Sequence, residues 1–229
     1  MTELRRNSIA LGIAVGLIGV PFGVLAATAG LSAPKAIAMS MLVFTGASQF
    51  AAVGVIDSGG SPLSAVGSAM LLAARNGLYG MRLSTLLRRA GWRRVPGAQF
   101  VIDESTAMSL AQEGEAQQYE AFWWTGAAVF VSWNLGTFLG VLLGDIVGDP
   151  EVYGLDAAFP ASFVALLGPL VPDVPARVAA IVAAAIALVA VPFTPAGLPI
   201  LLAAFAVVPG LLARRRTDEI ALGVDEASP

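Results

Sequence analysis

Between Ala36 and Ile56 the chain runs for 21 residues without a charge, yet polar groups sit at the centre of the run. As one helix, that length crosses the hydrocarbon core of a bilayer. The centre reads Phe44-Thr-Gly-Ala-Ser-Gln-Phe50. Gln49 carries two donors and an acceptor, and an unpaired amide in an apolar medium costs roughly 2–7 kcal/mol. Gly46 adopts backbone angles that other residues avoid. A polar, glycine-containing interruption at mid-membrane depth has two uses: a tight helix contact, or a substrate site built on a broken helix. Both remain open from the residues alone.

The rest of the chain places this stretch in a membrane. It is 57% hydrophobic and only 13% charged, against about 25% charged in soluble domains. The expectation is an all-α integral membrane protein, with residues 1–229 forming one polytopic bundle. The sequence has no Cys and no His. Thiolate chemistry, Cys-bound metals and the usual near-neutral proton shuttle are therefore absent, and no cofactor or metal is expected. Proton coupling would fall to Asp or Glu, whose pKa rises on burial.

Apolar spans are expected at 9–30, 36–56, 63–81, 120–144, 157–172, 177–191 and 195–213. Pro21 is expected to kink the first, and its glycines at 12, 16, 19 and 23 leave a smooth face for another helix. Residues 82–97 read as a basic loop with Arg82, Arg88, Arg89, Arg93 and Arg94, anchored at the interface by Trp92. The stretch 98–119 holds Asp103, Glu104, Glu113 and Glu115 and is a poor span. It reads as a short interfacial or re-entrant helix, with Asp103 or Ser105 as its cap. Residues 217–229 read as a flexible tail.

Charge placement sets the expected topology. The basic loop and Arg214–Arg216 should share the cytoplasmic side. Leaving 98–119 out gives about seven crossings, with the N-terminus outside and only Arg5 and Arg6 against the rule. In that count Phe22-Gly-Val-Leu25 of the first crossing echoes Leu139-Gly-Val-Leu142 of the fourth. Three-crossing repeats are inverted, an architecture of transporters.

The ordered set PFGVLAATAGLS, S-x-x-VFTGASQF, RNGLYG, IDESTAMS and YGLDAAFPASF resembles the AzlC family over residues 10–190. That family is the large subunit of a branched-chain amino acid exporter, tied to azaleucine resistance. The resemblance implies secondary export of branched-chain or related hydrophobic amino acids across the cytoplasmic membrane, driven by an ion gradient. It also implies a small AzlD-type membrane subunit as partner, the lipid bilayer as surroundings and no nucleic acid. The chain departs from the family at Ala73 and Asn76, where members usually carry Asn and His.

Candidate substrate-site residues are Thr45, Gly46, Ser48, Gln49 and Phe50, together with Pro21, Gly23, Arg75, Asn76 and Asn134. Backbone amides at a helix break hold carboxylates. Arg75 inside a span either snorkels to the interface or binds a carboxylate. Asp103 and Glu104 are candidates for ammonium binding or proton coupling. Phe44, Phe50 and Phe159 are candidates for an apolar pocket. The competing uses are helix–helix contact for the polar residues and a solvated helix start for the acidic pair. An enzyme embedded in the membrane and a non-transporting assembly subunit are the alternative functions.

Overall fold

The computed structural model describes residues 2–88, 91–147, 164 and 171–226. Among them every regular element is helical. Helices α1 (Glu3–Thr28) and α8 (Glu115–Val147) form the axis of the bundle. The Arg5 Nε donates to Glu120 at 2.8 Å, and the hydroxyls of Ser8 and Thr125 lie 2.9 Å apart. Further along, Gly12 abuts Ala128, Gly16 abuts Ser132 and Gly23 abuts Thr137 to Val141. Partner numbers rise together, so the two helices run parallel. The seam is glycine-lined because backbone meets backbone there. A Cβ on Gly12 would lie 2.8 Å from the carbonyl carbon of Ala128. The helix also continues unbroken past Pro21.

The expected second span is not one. Helix α2 (Ala33–Val43) runs antiparallel to α8: Ser40 donates to Thr137 at 3.0 Å, and Phe44 meets the Phe130 ring at 5.0 Å. The chain breaks at Phe44–Gly46 and α3 (Ala47–Asp57) turns back. Gln49 reaches the Met39 carbonyl, and Met39 packs against Ala52 and Val55. The charge-free run is thus a re-entrant hairpin that enters and leaves by one face. Its tip lies level with Val15, Ile18 and Trp133, halfway along both axial helices. Helix α4 (Pro62–Arg82) starts at the mouth of this hairpin, capped where Ser61 accepts from the Ser64 N–H at 3.1 Å. Arg75 on α4 comes down to the tip.

The basic segment is helical too, rather than a loop. It forms α5 (Ser84–Arg88), a 3-10 turn at Gly91–Arg93 and α6 (Arg94–Gln99). Leu83 and Leu86 hold it to Val101 and Phe122. From there the chain climbs along α8. Gly97 faces Trp123, Phe100 faces Gly126, and Ile102 joins Val129 and Trp133 in the core. Helix α7 (Asp103–Leu110) descends again, so that Ser109 donates to the Gln118 carbonyl at 2.9 Å. Of the two readings of this stretch, interfacial or re-entrant, the structure has the second: it is part of a second re-entrant hairpin, entering from the opposite face. Neither Asp103 nor Ser105 is its N-cap. Ser105, one residue into the first turn from Glu104, accepts from the Ile102 N–H at 3.3 Å and donates to the Phe100 carbonyl.

Two expectations about topology change as a result. Because α1 and α8 are parallel, units starting with them are not inverted; Gly23 and Gly140 of the two echoing motifs meet in the same seam. The opposed units are hairpin-plus-helix: α2–α3 with α4, and α6–α7 with α8. The N-terminus also lies on the face of the basic segment, where Arg5, Trp92, Pro96 and Glu120 line one cleft. Arg5 and Arg6 therefore join Arg82 and Arg94 on one arginine-rich face, while Lys35, in the first turn of α2, lies on the opposite one.

At the other end of the chain, α9 (Val174–Ala190) packs on α10 (Leu198–Ala203) and α11 (Val207–Glu226). Gly197 sits on Ser64 and Leu201 on Gly67, so α10 runs in the same direction as α4. A 3-10 turn at Ala204–Ala206 interrupts the span expected at 195–213, and α11 carries the tail, expected to be flexible, as helix to Glu226. Among the described residues four helices are long and apolar enough to cross a membrane: Glu3–Thr28, Glu115–Gly144, Val174–Phe193 and Leu198–Arg215. Apart from residues 164, 171 and 172, the span expected at 157–172, with Phe159, lies outside the described residues.

Candidate functional site

The two hairpin tips meet between α1, α4 and α8. Breaking a helix at Phe44–Gly46 exposes the last carbonyls of α2 and the first amides of α3, and each needs a partner away from water. Gln49 supplies one at both ends of its side chain. Its Oε1 accepts from the Gly46 N–H at 3.0 Å, and its Nε2 donates to the Met39 carbonyl at 3.1 Å. Gln49 is fully buried and does not line a cavity; it fixes the angle between the two half-helices. The α2 carbonyls of Met41 and Leu42 are capped from the other hairpin, by Gln99 Nε2 at 2.8 and 3.2 Å. The amides of Ala47 and Ser48 have no acceptor one turn back within the helix, so the positive end of the α3 dipole points at this place. The start of α7 comes to the same place from below, with Asp103 and Glu104 in its first turn.

Around this point lies a cavity lined by Phe44, Thr45, Ala47, Phe50, Arg75 and Asp103, closed by Glu104, Ile102 and Trp133. Val15, Ile18 and Val129 complete the apolar wall. Arg75 Nη2 and Asp103 Oδ2 are 2.9 Å apart, with the side chains about a third exposed or less. Arg75 therefore pairs with a carboxylate rather than snorkelling to the interface. Several polar atoms here are buried with no hydrogen-bond partner: Thr45 Oγ1, Ser48 Oγ, Arg75 Nε, Asp103 Oδ1 and Trp133 Nε1. Such orphans are uncommon and call for a ligand, water or ion. The ring of Phe50 stands edge-on to Phe22 and Trp133, at 5.4 and 6.0 Å. The cavity holds only about 40 Å3. That admits water but not a small-molecule ligand, whose pockets run to about 300 Å3 or more. The site is closed.

The sequence candidates divide accordingly. Thr45, Gly46, Phe50, Arg75, Asp103 and Glu104 come together on the cavity. Ser48 is fully buried just behind it. Pro21 and Gly23 are not on it; Gly23 belongs to the α1–α8 seam. Asn134 does not line it either, and its Nδ2 donates to the Phe130 carbonyl of its own helix at 2.8 Å. Asn76 lies on a neighbouring cleft with Gly80, Leu87 and Gln99. Sequence reasoning missed Trp133 as a wall residue and Gln99 as a cross-hairpin cap. The signal for Gln99 was present: an amide immediately before the apolar run Phe100-Val-Ile102.

Residues 10–147 match the AzlC protein family, which is more than half of the chain. The chain belongs to the AzlC family. The match covers both hairpins, α1, α4 and α8, and ends before the GLD-x-x-F stretch, which is outside the described residues as well. Among relatives, an uncharacterized membrane protein of Archaeoglobus fulgidus is 33% identical over 156 residues, 66% of this chain and 67% of its own length. An uncharacterized membrane protein of Helicobacter pylori strain J99 is 25% identical over 162 residues, 70% of this chain and 71% of its own. No solved structure matches. This AzlC protein is thus a membrane protein with a transport-related role, and the family is associated with transporters rather than enzymes.

Proposed function

We propose that this AzlC protein is the large subunit of a secondary transporter exporting branched-chain or related hydrophobic amino acids across the cytoplasmic membrane. A small AzlD-type membrane subunit would be its partner. The observation that carries the reading is the meeting of two half-helix starts, from opposite faces, on an apolar cavity that contains one cation and two carboxylates. An amino acid needs these three things. Its carboxylate would take the free α3 amides and Arg75. Its ammonium would take Asp103, with Glu104 beside it as the group available for proton coupling. Its side chain would lie among Phe44, Phe50, Ile102 and Trp133. Hairpins entering from opposite faces suit alternating access, because either can withdraw and open its own side.

The arginine-rich face would be cytoplasmic, with the N-terminus there. On this reading α1, α4, α8, α9 and the α10–α11 pair cross the bilayer, while 36–56 and 94–110 dip in and return. Helix α4 has 21 residues, about 31 Å at 1.5 Å per residue, which suffices despite Arg75.

Reconstitution into liposomes, with and without the small partner, tests the function. Labelled leucine, isoleucine, valine and methionine should move when a proton gradient is imposed. Arg75→Gln and Asp103→Asn should each abolish the flux. Flux of none of these amino acids from a folded, correctly inserted complex would refute the reading.

A further inference from the structure

Phe44 and Thr45 wall two spaces at once. One is the central cavity. The other is a cleft of about 220 Å3 on the arginine-rich side of the tips, lined also by Asn76, Gly80, Leu87 and Gln99. It is several times larger than the cavity. Phe44 is 3% exposed and has φ 24°, the one positive value at a non-glycine among the described residues. Such backbone strain persists only where surroundings impose it, and it collects at clamps and switches. Here the constraint has a visible source. Gln99 of the α6–α7 hairpin donates to the Met41 and Leu42 carbonyls immediately before Phe44. Withdrawing that hairpin would break both bonds and release Phe44 in one movement. A second observation points to a ligand in the cleft: Asn76 Oδ1, on its wall, is buried with no hydrogen-bond partner.

We propose that the cleft is an inner waiting site for the transported amino acid, that Phe44 is the door between it and the central cavity, and that Gln99 is the latch. The ammonium group would rest on Asn76 Oδ1 and the apolar side chain against Leu87 and Val101. This rests on the transport reading above, and it adds a second station and a named gate to it.

The native chain has no cysteine, so single introduced thiols report without background. In proteoliposomes a Thr45→Cys thiol should react slowly with a small charged methanethiosulfonate. Adding Gln99→Ala or Gln99→Glu should speed the reaction from the arginine-rich side by about tenfold or more, as expected for losing two hydrogen bonds. Gln99→Glu keeps the size and removes the donors. A Cβ on Gly80 meets nothing within 4 Å, so Gly80→Cys is accommodated, and millimolar leucine should slow its labelling. Unchanged Thr45→Cys rates in both Gln99 variants, or faster reaction from the opposite face, would overturn the latch. Absence of leucine protection at Gly80→Cys would overturn the waiting site. Labelling is read without flux, so a failure of transport in the unmodified protein sinks the transport reading alone.

Discussion

Gln49 is the residue whose replacement separates packing from substrate contact, and its consequences can be worked out from two hydrogen bonds. In Gln49→Ala the Gly46 N–H and the Met39 carbonyl, 3.0 and 3.1 Å from the lost amide, become buried and unpaired. Each such group costs about 1–3 kcal/mol, so about 2–6 kcal/mol is at stake. The site is fully buried, though the small cavity beside the tip gives water some access to the freed groups, which favours the lower end. At about 2–4 °C per kcal/mol for a chain of this size, the expected fall in Tm of the purified protein is about 5–10 °C. Gln49→Glu should retain the acceptor for Gly46, lose the donor to Met39 and bury a charge beside that carbonyl. It should therefore be no more stable than Gln49→Ala. Thermal melts monitored by circular dichroism and by fluorescence-detected size exclusion would read both variants. A Tm within roughly a degree of the parent for Gln49→Ala would show that the amide does not hold the break. The same variant losing leucine binding at unchanged Tm would return Gln49 to the substrate path.

Three further outcomes follow from the same geometry. Gly23→Ala should destabilise by about 1–3 kcal/mol through overpacking of the α1–α8 seam. Gly77→Ala, where a Cβ meets nothing within 4 Å, should be neutral or stabilise by up to about 1 kcal/mol; equal losses in chemical-denaturation or melting curves would refute the close approach. Arg75→Gln should destabilise more than the double change Arg75→Gln with Asp103→Asn, because the single variant leaves a carboxylate unpaired in the bundle; additive losses in a double-mutant cycle would show that the pair is not coupled. Single cysteines at Glu3 and Gly91 should be protected from an impermeant reagent added outside cells while one at Ser58 is labelled. Labelling of Glu3→Cys and Ser58→Cys from the same side would overturn the shared face of N-terminus and basic segment.

Much of the membrane character and part of the site could be read from residue order. Apolar length located α1, α8 and α9, and the glycines at 12, 16, 19 and 23 announced a close helix contact without naming α8 as the partner. The polar interruption at Thr45–Gln49 marked a break, because hydrocarbon tolerates an amide only when it is paired. What the pattern could not show was the direction of the chain after the break. A 21-residue apolar run has the same composition whether it crosses the membrane or doubles back, and contacts such as the Gln49–Met39 bond, which the sequence does not show, distinguish the two. The acidic stretch from Asp103 left an interfacial and a re-entrant reading both open for a related reason. Its carboxylates look solvated in sequence, and their partner Arg75 lies 28 positions earlier on another helix.

The sequence by itself determined that this chain is a helical membrane protein of the AzlC family, since apolar length and a local polar motif are properties of neighbouring residues. The tertiary structure decided that two hairpins enter from opposite faces, that α1 and α8 are parallel, and that the N-terminal arginines share a side with the basic segment. Those are relations between residues far apart in the chain. They are set by backbone contact at glycines, by an ion pair and by two glutamine side chains that find carbonyls on other helical segments.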